Sequence, residues 1–200
     1  RDIIKVQSVK SKTLEEGYGY LRISQFQQNT GADAARALAA LQQENPAGLK
    51  GLVLDLRNNP GGLLDQAVEV SDLFLDSGVV VSIKGRDAEE RTSFNAHQEG
   101  TMPPWPIVVL VNQGSASASE IVTGALQDYG RAVIMGSKTF GKGSVQTIIP
   151  LDDHSGIRLT TALYYTPNNR SIHEQGIEPD IPLKTEPAAK ARLDAIRDKL

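Results

Sequence analysis

Two short segments contain the residue types needed for hydrolytic chemistry at a carbonyl group. Ser117 lies in the small-residue segment 114–120, and Lys142 lies between two glycines in the segment 139–143. A serine hydroxyl becomes a nucleophile when a neighbouring base takes its proton, and an unprotonated lysine amine can act as that base. The two residues therefore predict a serine nucleophile with a lysine base, provided that the fold brings them together.

The residues around Ser117 predict a turn that leads from a strand into a helix. The apolar run 107–111 is strand-like, and a helical pattern starts at Ala118. Ser117 would then lie at the helix N-terminus, where the unpaired N–H of Ala118 faces a developing oxyanion. A second strand-to-helix turn, 56–62, contains Gly61 and Gly62, which allow close backbone approach and a further N–H donor. Alternatively, Ser115 or Ser119 caps the helix and Ser117 merely lies between them.

Lys142 requires particular surroundings if it is to act as a base. Its pKa must fall from about 10.4 to roughly 7–8, through burial or a cationic neighbour. The flanking apolar residues Phe140 and Val145 predict partial burial, and Gln146 could hold the amine through its side-chain amide. The alternative is an ordinary surface lysine in a loop.

The segment 136–143 also favours a second kind of site, because it nearly matches a phosphate-binding loop after a strand. Residues 52–55 likewise resemble the end of a magnesium-binding strand. Two observations count against nucleotide binding. Gly143 occupies the position of the hydroxyl residue that would meet Mg²⁺, and the residues that follow have a strand pattern instead of the required helix.

The three histidines, His97, His154 and His173, have no spacing typical of a zinc site, and we expect them in exposed loops. No Gly-x-Ser-x-Gly turn is present. Asp128 lies eleven residues after Ser117, three helical turns away, so we interpret it as structural and paired with a cation such as Arg131. We therefore expect no metal and no cofactor.

Composition limits the remaining functions. The 200 residues are 40% apolar and 22% charged, which is typical of one globular domain. The net charge of −3 comes without a basic stripe, so nucleic acid is a poor candidate partner.

The apolar run 107–111 is far shorter than the ~20 residues of a membrane helix. Cysteine is absent, which excludes disulfides and thiolate chemistry. Because the chain opens at Arg1 without a leader, we expect a fragment.

The chain has the alternating pattern of an α/β protein. We predict strands at residues 19–23, 51–56, 79–83, 107–111 and 132–135, mostly in a parallel sheet, and an antiparallel pair at 144–149 and 157–165. Apolar stripes predict three helices, which are a helix from about Thr30 to Gln43 and two that begin near Leu63 and Ala118. The polar stretch 84–104 is long enough for a functional flap.

Four segments, taken in order and spacing, resemble the protease domain of the carboxyl-terminal processing (tail-specific) proteases, peptidase family S41. They are 17–23 (GYGYLRI), 54–62 (LDLRNNPGG), 112–120 (NQGSASASE) and 139–146 (TFGKGSVQ). The resemblance covers almost everything from Ile3 to about Pro182. It implies a crotonase- or Clp-like ββα spiral core, with residues 1–185 as the protease core and 186–200 as a helical tail.

The resemblance also implies roles for particular residues. Ser117 would be the nucleophile, Lys142 the base and Gln146 the orienting amide, with Ala118 and Gly61 or Gly62 as oxyanion donors. Proteins of this family cleave other proteins near apolar C-terminal tails, in the bacterial periplasm or cell envelope or in the thylakoid lumen. Family members usually have a PDZ domain before the segment 1–4, and many assemble through helical arms. We expect homo-oligomer or adaptor contacts to involve such segments, which are largely missing here.

Overall fold

The computed structural model describes residues 7–87, 91–152 and 155–183. The elements of the first half are β1 (Val9–Glu15), β2 (Tyr18–Ile23), α1 (Thr30–Glu44), β3 (Gly51–Asp55), α2 (Leu64–Asp72), β4 (Gly78–Lys84) and β5 (Arg91–Ala96). The elements of the second half are β6 (Ile107–Val111), α3 (Ala118–Asp128), β7 (Val133–Gly136), β8 (Ser144–Pro150), β9 (Gly156–Tyr165) and β10 (Ile181–Pro182). The predicted tail 186–200 lies outside the described residues.

The strands form two sheets. Among the described residues, the larger sheet has the order β1-β2-β3-β6-β7-β10; its β1–β2 pair is antiparallel and its other pairs are parallel. The smaller sheet has the order β5-β4-β9-β8 and is antiparallel throughout. The predicted α/β class, with a mostly parallel sheet and an antiparallel strand pair near the C-terminus, is confirmed.

One prediction of sheet membership is wrong. Residues 79–83 do form a strand, β4, but it pairs with β5 and β9 in the antiparallel sheet. The long polar stretch 84–104, whose role the sequence left open, contains β5, which returns along β4 as the second strand of a hairpin. Local sequence predicts a strand here, whereas its partner depends on chain segments far away.

The helices build the core together with both sheets: α1 packs against β1 and β2, α3 packs against β7 and β4, and α2 packs against the other two helices and against β4 and β5. The side chains of Leu21, Leu54, Val109 and Ile134 are completely buried, and along β2, β6 and β7 the buried residues alternate with less buried ones. Every residue of α3 from Ala118 to Leu126 is also buried, which makes it the central helix. The opposite face of the sheet, with Tyr20, Val108, Leu110 and Met135, stays partly exposed.

Candidate active site

Ser117 lies in the turn between β6 and α3, immediately before the first helical residue. Its φ of 55° is on the left-handed side, which is unusual for a residue other than glycine. Such a backbone conformation costs about 1–3 kcal/mol and persists only where the surroundings hold it. The strand-to-helix placement predicted for Ser117 is confirmed.

The two neighbouring serines connect this turn to the glycine turn that follows β3. The buried Ser115 hydroxyl donates to the Leu56 carbonyl oxygen over 2.8 Å, and the buried Ser119 hydroxyl donates to the Asn59 carbonyl oxygen over 3.0 Å. Neither therefore caps α3. Ser117 is half-buried and is the residue before α3, where it forms a capping box: its side chain faces the Glu120 N–H, and the Glu120 side chain faces the Ser117 N–H.

Gly61 packs against the backbone beside Ser117. A methyl group added at Gly61 would lie 2.8 Å from Ser117 Cβ and 2.9 Å from the Ala118 nitrogen. Its φ of 99° is also one that residues with a side chain rarely adopt. The glycine turn therefore reaches Ser117 as closely as a backbone can, in agreement with the sequence-based reason for a glycine here.

The three predicted oxyanion donors differ in their hydrogen bonds. The Gly61 N–H donates to Asn59 Oδ1 over 2.9 Å and is thus already engaged. Gly62 forms an isolated parallel bridge with Phe26, in which its own N–H points away from Phe26. In the described part of the chain, no acceptor is present for the N–H of Gly62 or of Ala118.

Lys142 is an exposed residue in the loop between β7 and β8. The partial burial predicted from the flanking Phe140 and Val145 is wrong, because Lys142 is exposed and 68% of Phe140 is exposed as well. The Lys142 amine and the Ser117 hydroxyl do not form a hydrogen bond with each other, and the described residues offer the amine no other acceptor. The structure brings the two backbones together, but it does not bring the two reactive groups into contact.

Glu120 connects the backbones of Ser117 and Lys142. The sequence analysis did not predict a functional role for it. Its buried Oε2 accepts a hydrogen bond from the Ser117 N–H and another from the Lys142 N–H, each 2.8 Å long. Its Oε1 accepts hydrogen bonds from the Thr139 hydroxyl (2.5 Å) and the Gly141 N–H (2.7 Å). A signal was present, since Ser-x-x-Glu at a helix start is a capping-box sequence.

Gln146 lies on β8, two residues inside the strand and next to a register irregularity between Val145 and Gln146. Its side chain is exposed and makes no hydrogen bond to Lys142 in the structure. Its orienting role therefore stays a prediction.

The alternative sites are not supported by the geometry. The loop 136–143 continues into strand β8, so it lacks the helix N-terminus that a phosphate-binding loop requires. In ranges 7–87, 91–152 and 155–183, no group of acidic and histidine side chains is arranged to hold a metal ion. None of the helices described is long and apolar enough to cross a membrane.

The predictions for the three histidines and for Asp128 are confirmed in part. His97 is exposed beside Asp72, as predicted, and His154 lies outside the described residues. His173 is only partly exposed, and its Nδ1 is buried without a partner. The predicted Asp128–Arg131 pair is wrong: Asp128 pairs with Arg170, while the Arg131 guanidinium donates to backbone carbonyl oxygens, including that of Trp105 at 2.7 Å.

Comparison with known proteins identifies the family. The family model described as Peptidase family S41 matches residues 17–183, so the chain belongs to this family of peptidases. The carboxy-terminal-processing protease of Bartonella bacilliformis is 55% identical over 182 residues, which are 90% of this chain and 42% of that protein. The carboxyl-terminal-processing protease of Synechocystis is 46% identical over 165 residues, which are 82% of this chain and 38% of that protein.

A solved structure shows the same fold. The photosystem II D1 C-terminal processing protease matches with a TM-score of 0.81 and 38% identity, over 90% of this chain and 49% of that chain. The chain spans about two fifths of the length of the curated relatives named above. The resemblance inferred from four sequence segments is thereby confirmed at the level of the family and the fold.

Proposed function

We propose that this chain contains the catalytic apparatus of a serine endopeptidase that hydrolyses peptide bonds near the C-termini of protein substrates. One observation carries the proposal: a single buried carboxylate, Glu120, holds the turn of Ser117 and the loop of Lys142 side by side. Membership of the S41 family and the names of the relatives support the same reaction class.

In the proposed reaction, unprotonated Lys142 takes the proton of the Ser117 hydroxyl as its oxygen attacks the substrate carbonyl carbon. The developing oxyanion accepts hydrogen bonds from the N–H groups of Ala118 and Gly62, which have no acceptor in the described residues. The amine leaves with a proton from Lys142, and an acyl-enzyme remains. Lys142 then activates a water molecule that hydrolyses the ester. Gln146 would orient the amine when the side chains close on a substrate.

The exposed Lys142 side chain must move to reach Ser117, and it is not held elsewhere by any described residue. Substrate binding would restrict the amine and exclude water, as in other sites that assemble only with substrate bound. We expect cleavage to rise with pH, because only the unprotonated amine accepts the proton.

The family resemblance suggests substrates, a location and an assembly for the proposed protease. We propose substrates with apolar C-terminal tails, a location in the bacterial periplasm or envelope or in the thylakoid lumen, and assembly into oligomers or with an adaptor. The names of the photosystem II D1 C-terminal processing protease and of the Synechocystis relative support action at a C-terminus and are consistent with the proposed location.

The test is cleavage of an unfolded protein, read as fragment masses. We expect Ser117→Ala and Lys142→Ala to lower the rate by at least about 1000-fold, as for other nucleophiles and bases. Lys138→Ala is the matched control, because Lys138 lies in the same loop and pairs with exposed Glu178 at 2.8 Å. Cleavage by Ser117→Ala at the wild-type rate would overturn the proposal.

The separation of the reactive groups favours one second candidate, a peptide-binding relative without catalysis. Its hallmark would be binding of an unfolded protein by wild type and Ser117→Ala alike, with no fragments from either. Fragments that wild type alone produces would exclude it.

A further inference from the structure

A cavity of about 270 Å³ opens at the carboxyl ends of the central strands, on the partly exposed face of the larger sheet. Its walls include Arg22, Arg57, Asn58, Leu110, Met135 and Leu183. Arg22, Asp55, Leu110 and Met135 form one row across β2, β3, β6 and β7, because each is paired in register with the next. The row therefore places charged groups at one end of the cavity and apolar side chains at the other.

The charged end has more positive than negative charge. Arg22 and Arg57 both pair with the fully buried carboxylate of Asp55, at 3.0 and 2.8 Å, and the Tyr20 hydroxyl donates to the same oxygen at 2.6 Å. In the described part of the chain, neither arginine has a second acidic partner. The cluster thus has two guanidinium charges for one carboxylate.

The guanidinium groups also have unused donors. Arg57 Nη1 and Arg22 Nε donate to no acceptor among the described residues. Their side chains are 47% and 32% exposed, so a ligand can reach them from the cavity. Arginine donors in a planar fork match the two oxygens of a carboxylate.

The cavity is connected to both turns of the candidate active site. Asn58, in the glycine turn, donates its N–H to Asn112 Oδ1 over 2.9 Å, and Asn112 Nδ2 donates back to Asn58 Oδ1 over 3.0 Å. Asn112 Oδ1 also accepts from the Gly114 N–H, three residues before Ser117. A ligand against Asn58 therefore contacts the framework that positions the nucleophile.

We infer that this cavity binds the free C-terminal carboxylate of a polypeptide whose last side chains are apolar. The guanidinium groups of Arg22 and Arg57 bind the carboxylate, and the side chains of Leu110, Met135 and Leu183 contact the apolar residues. The inference rests on the proposed function, because it identifies what this protease core recognises in its substrate. It adds a carboxylate site built into the catalytic domain itself.

The experiment measures equilibrium binding, so it does not depend on cleavage. A fluorescein-labelled peptide ending in Val-Val is titrated with the Ser117→Ala protein as the free acid and as the C-terminal amide. We expect the free acid to bind about 10-fold more tightly, the size of one charge-assisted contact. Equal affinities would overturn the inference. A third peptide, an amide with Glu in place of the last Val, separates a side-chain carboxylate from a chain end, and its binding as tightly as the free acid would also overturn it.

Variants locate the site. Arg22→Gln, in the same Ser117→Ala background, leaves the Asp55–Arg57 pair in place and should abolish the preference for the free acid, while Arg22→Lys should keep part of it. Arg36→Gln is the control, because Arg36 pairs with Asp33 on the surface of α1 and should keep the full preference. Thermal unfolding checks that each variant is folded. A preference for the free acid that survives in Arg22→Gln would overturn the assignment.

The inference can fail while the proposed function stands. If wild type cleaves the free-acid and the amide peptide equally well, only this inference is removed.

Discussion

At the scale of single residues, Glu120 determines how the candidate site is held. Its two oxygens accept four hydrogen bonds, from the backbone of Ser117, Gly141 and Lys142 and from the Thr139 hydroxyl. Charge-assisted hydrogen bonds to a buried carboxylate are stronger than neutral ones. One side chain thus positions the proposed nucleophile and the loop of the proposed base, and we interpret it as a positioning residue.

We predict that Glu120→Gln lowers the cleavage rate by at least about 100-fold, because a small misplacement of the reacting groups has a cost of this size. The amide also presents an NH₂ group to N–H donors, which should lower the free energy of unfolding by about 2–3 kcal/mol. Peptide cleavage and urea unfolding measure the two effects. Glu178→Gln is the control, because Glu178 is exposed and pairs only with Lys138 among the described residues. A folded Glu120→Gln protein with wild-type activity would contradict the assignment.

At the scale of elements, the site depends on the contact between two strand-to-helix turns. The turn after β3 and the turn after β6 are joined by the hydroxyls of Ser115 and Ser119 and by the Ala116 N–H, which donates to the Asn59 carbonyl oxygen over 3.0 Å. Parallel pairing of β3 with β6 brings both turns to the same edge of the sheet. The close approach leaves no room for a side chain at Gly61.

We predict that Gly61→Ala abolishes measurable cleavage, because the added methyl group displaces Ser117 and Ala118. Gly48→Ala is the matched control: Gly48 has a similar φ of 90°, and a methyl group there meets nothing within 4 Å. Both variants should lose about 1 kcal/mol of stability from backbone strain. Activity assays and thermal unfolding of both variants separate the displacement of Ser117 and Ala118 from the backbone strain. Equal losses of activity in Gly61→Ala and Gly48→Ala would contradict the prediction, because backbone strain alone would then explain the loss.

At the scale of the whole molecule, one sheet face is buried by helices and the other holds the buried Asp55 carboxylate. Burial alone would raise the pKa of Asp55, but hydrogen bonds from Arg57 and Tyr20 outweigh it and lower the pKa from 3.8 to about 2. The lowered pKa means that the ionised carboxylate stabilises the fold. Because the pKa of Asp55 is lower in the folded than in the unfolded protein, its ionisation contributes about 2 kcal/mol to the free energy of unfolding at neutral pH.

We predict that this stabilisation is fully present above the unfolded-state pKa of 3.8 and is lost as the pH falls toward about 2. Urea unfolding of the wild type and Asp55→Asn across this range measures it. The stability difference between the two proteins should be largest near neutral pH and shrink steadily below about pH 4. A difference that does not change with pH would contradict the role of the ionised carboxylate.

Local sequence determines much of the secondary structure and the position of Ser117. The strand at 107–111, the helix from Ala118 and the antiparallel pair at 144–149 and 157–165 follow from side-chain periodicity, and the structure reproduces them within about one residue. Four short segments also sufficed to predict the family. The position of Ser117 at a helix start is local as well, because it depends only on where the strand pattern ends.

Only the tertiary structure decided which parts meet. Ser117 and Lys142 are neighbours because Glu120 accepts hydrogen bonds from both backbones, and the partners of β4 are strands distant along the chain. The exposure of Lys142, which overturned its predicted burial, likewise depends on what packs around its loop. Periodicity reports which side of an element is apolar, but the partner of that side is chosen by contacts between segments far apart in sequence, and a single sequence does not contain that choice in any local pattern.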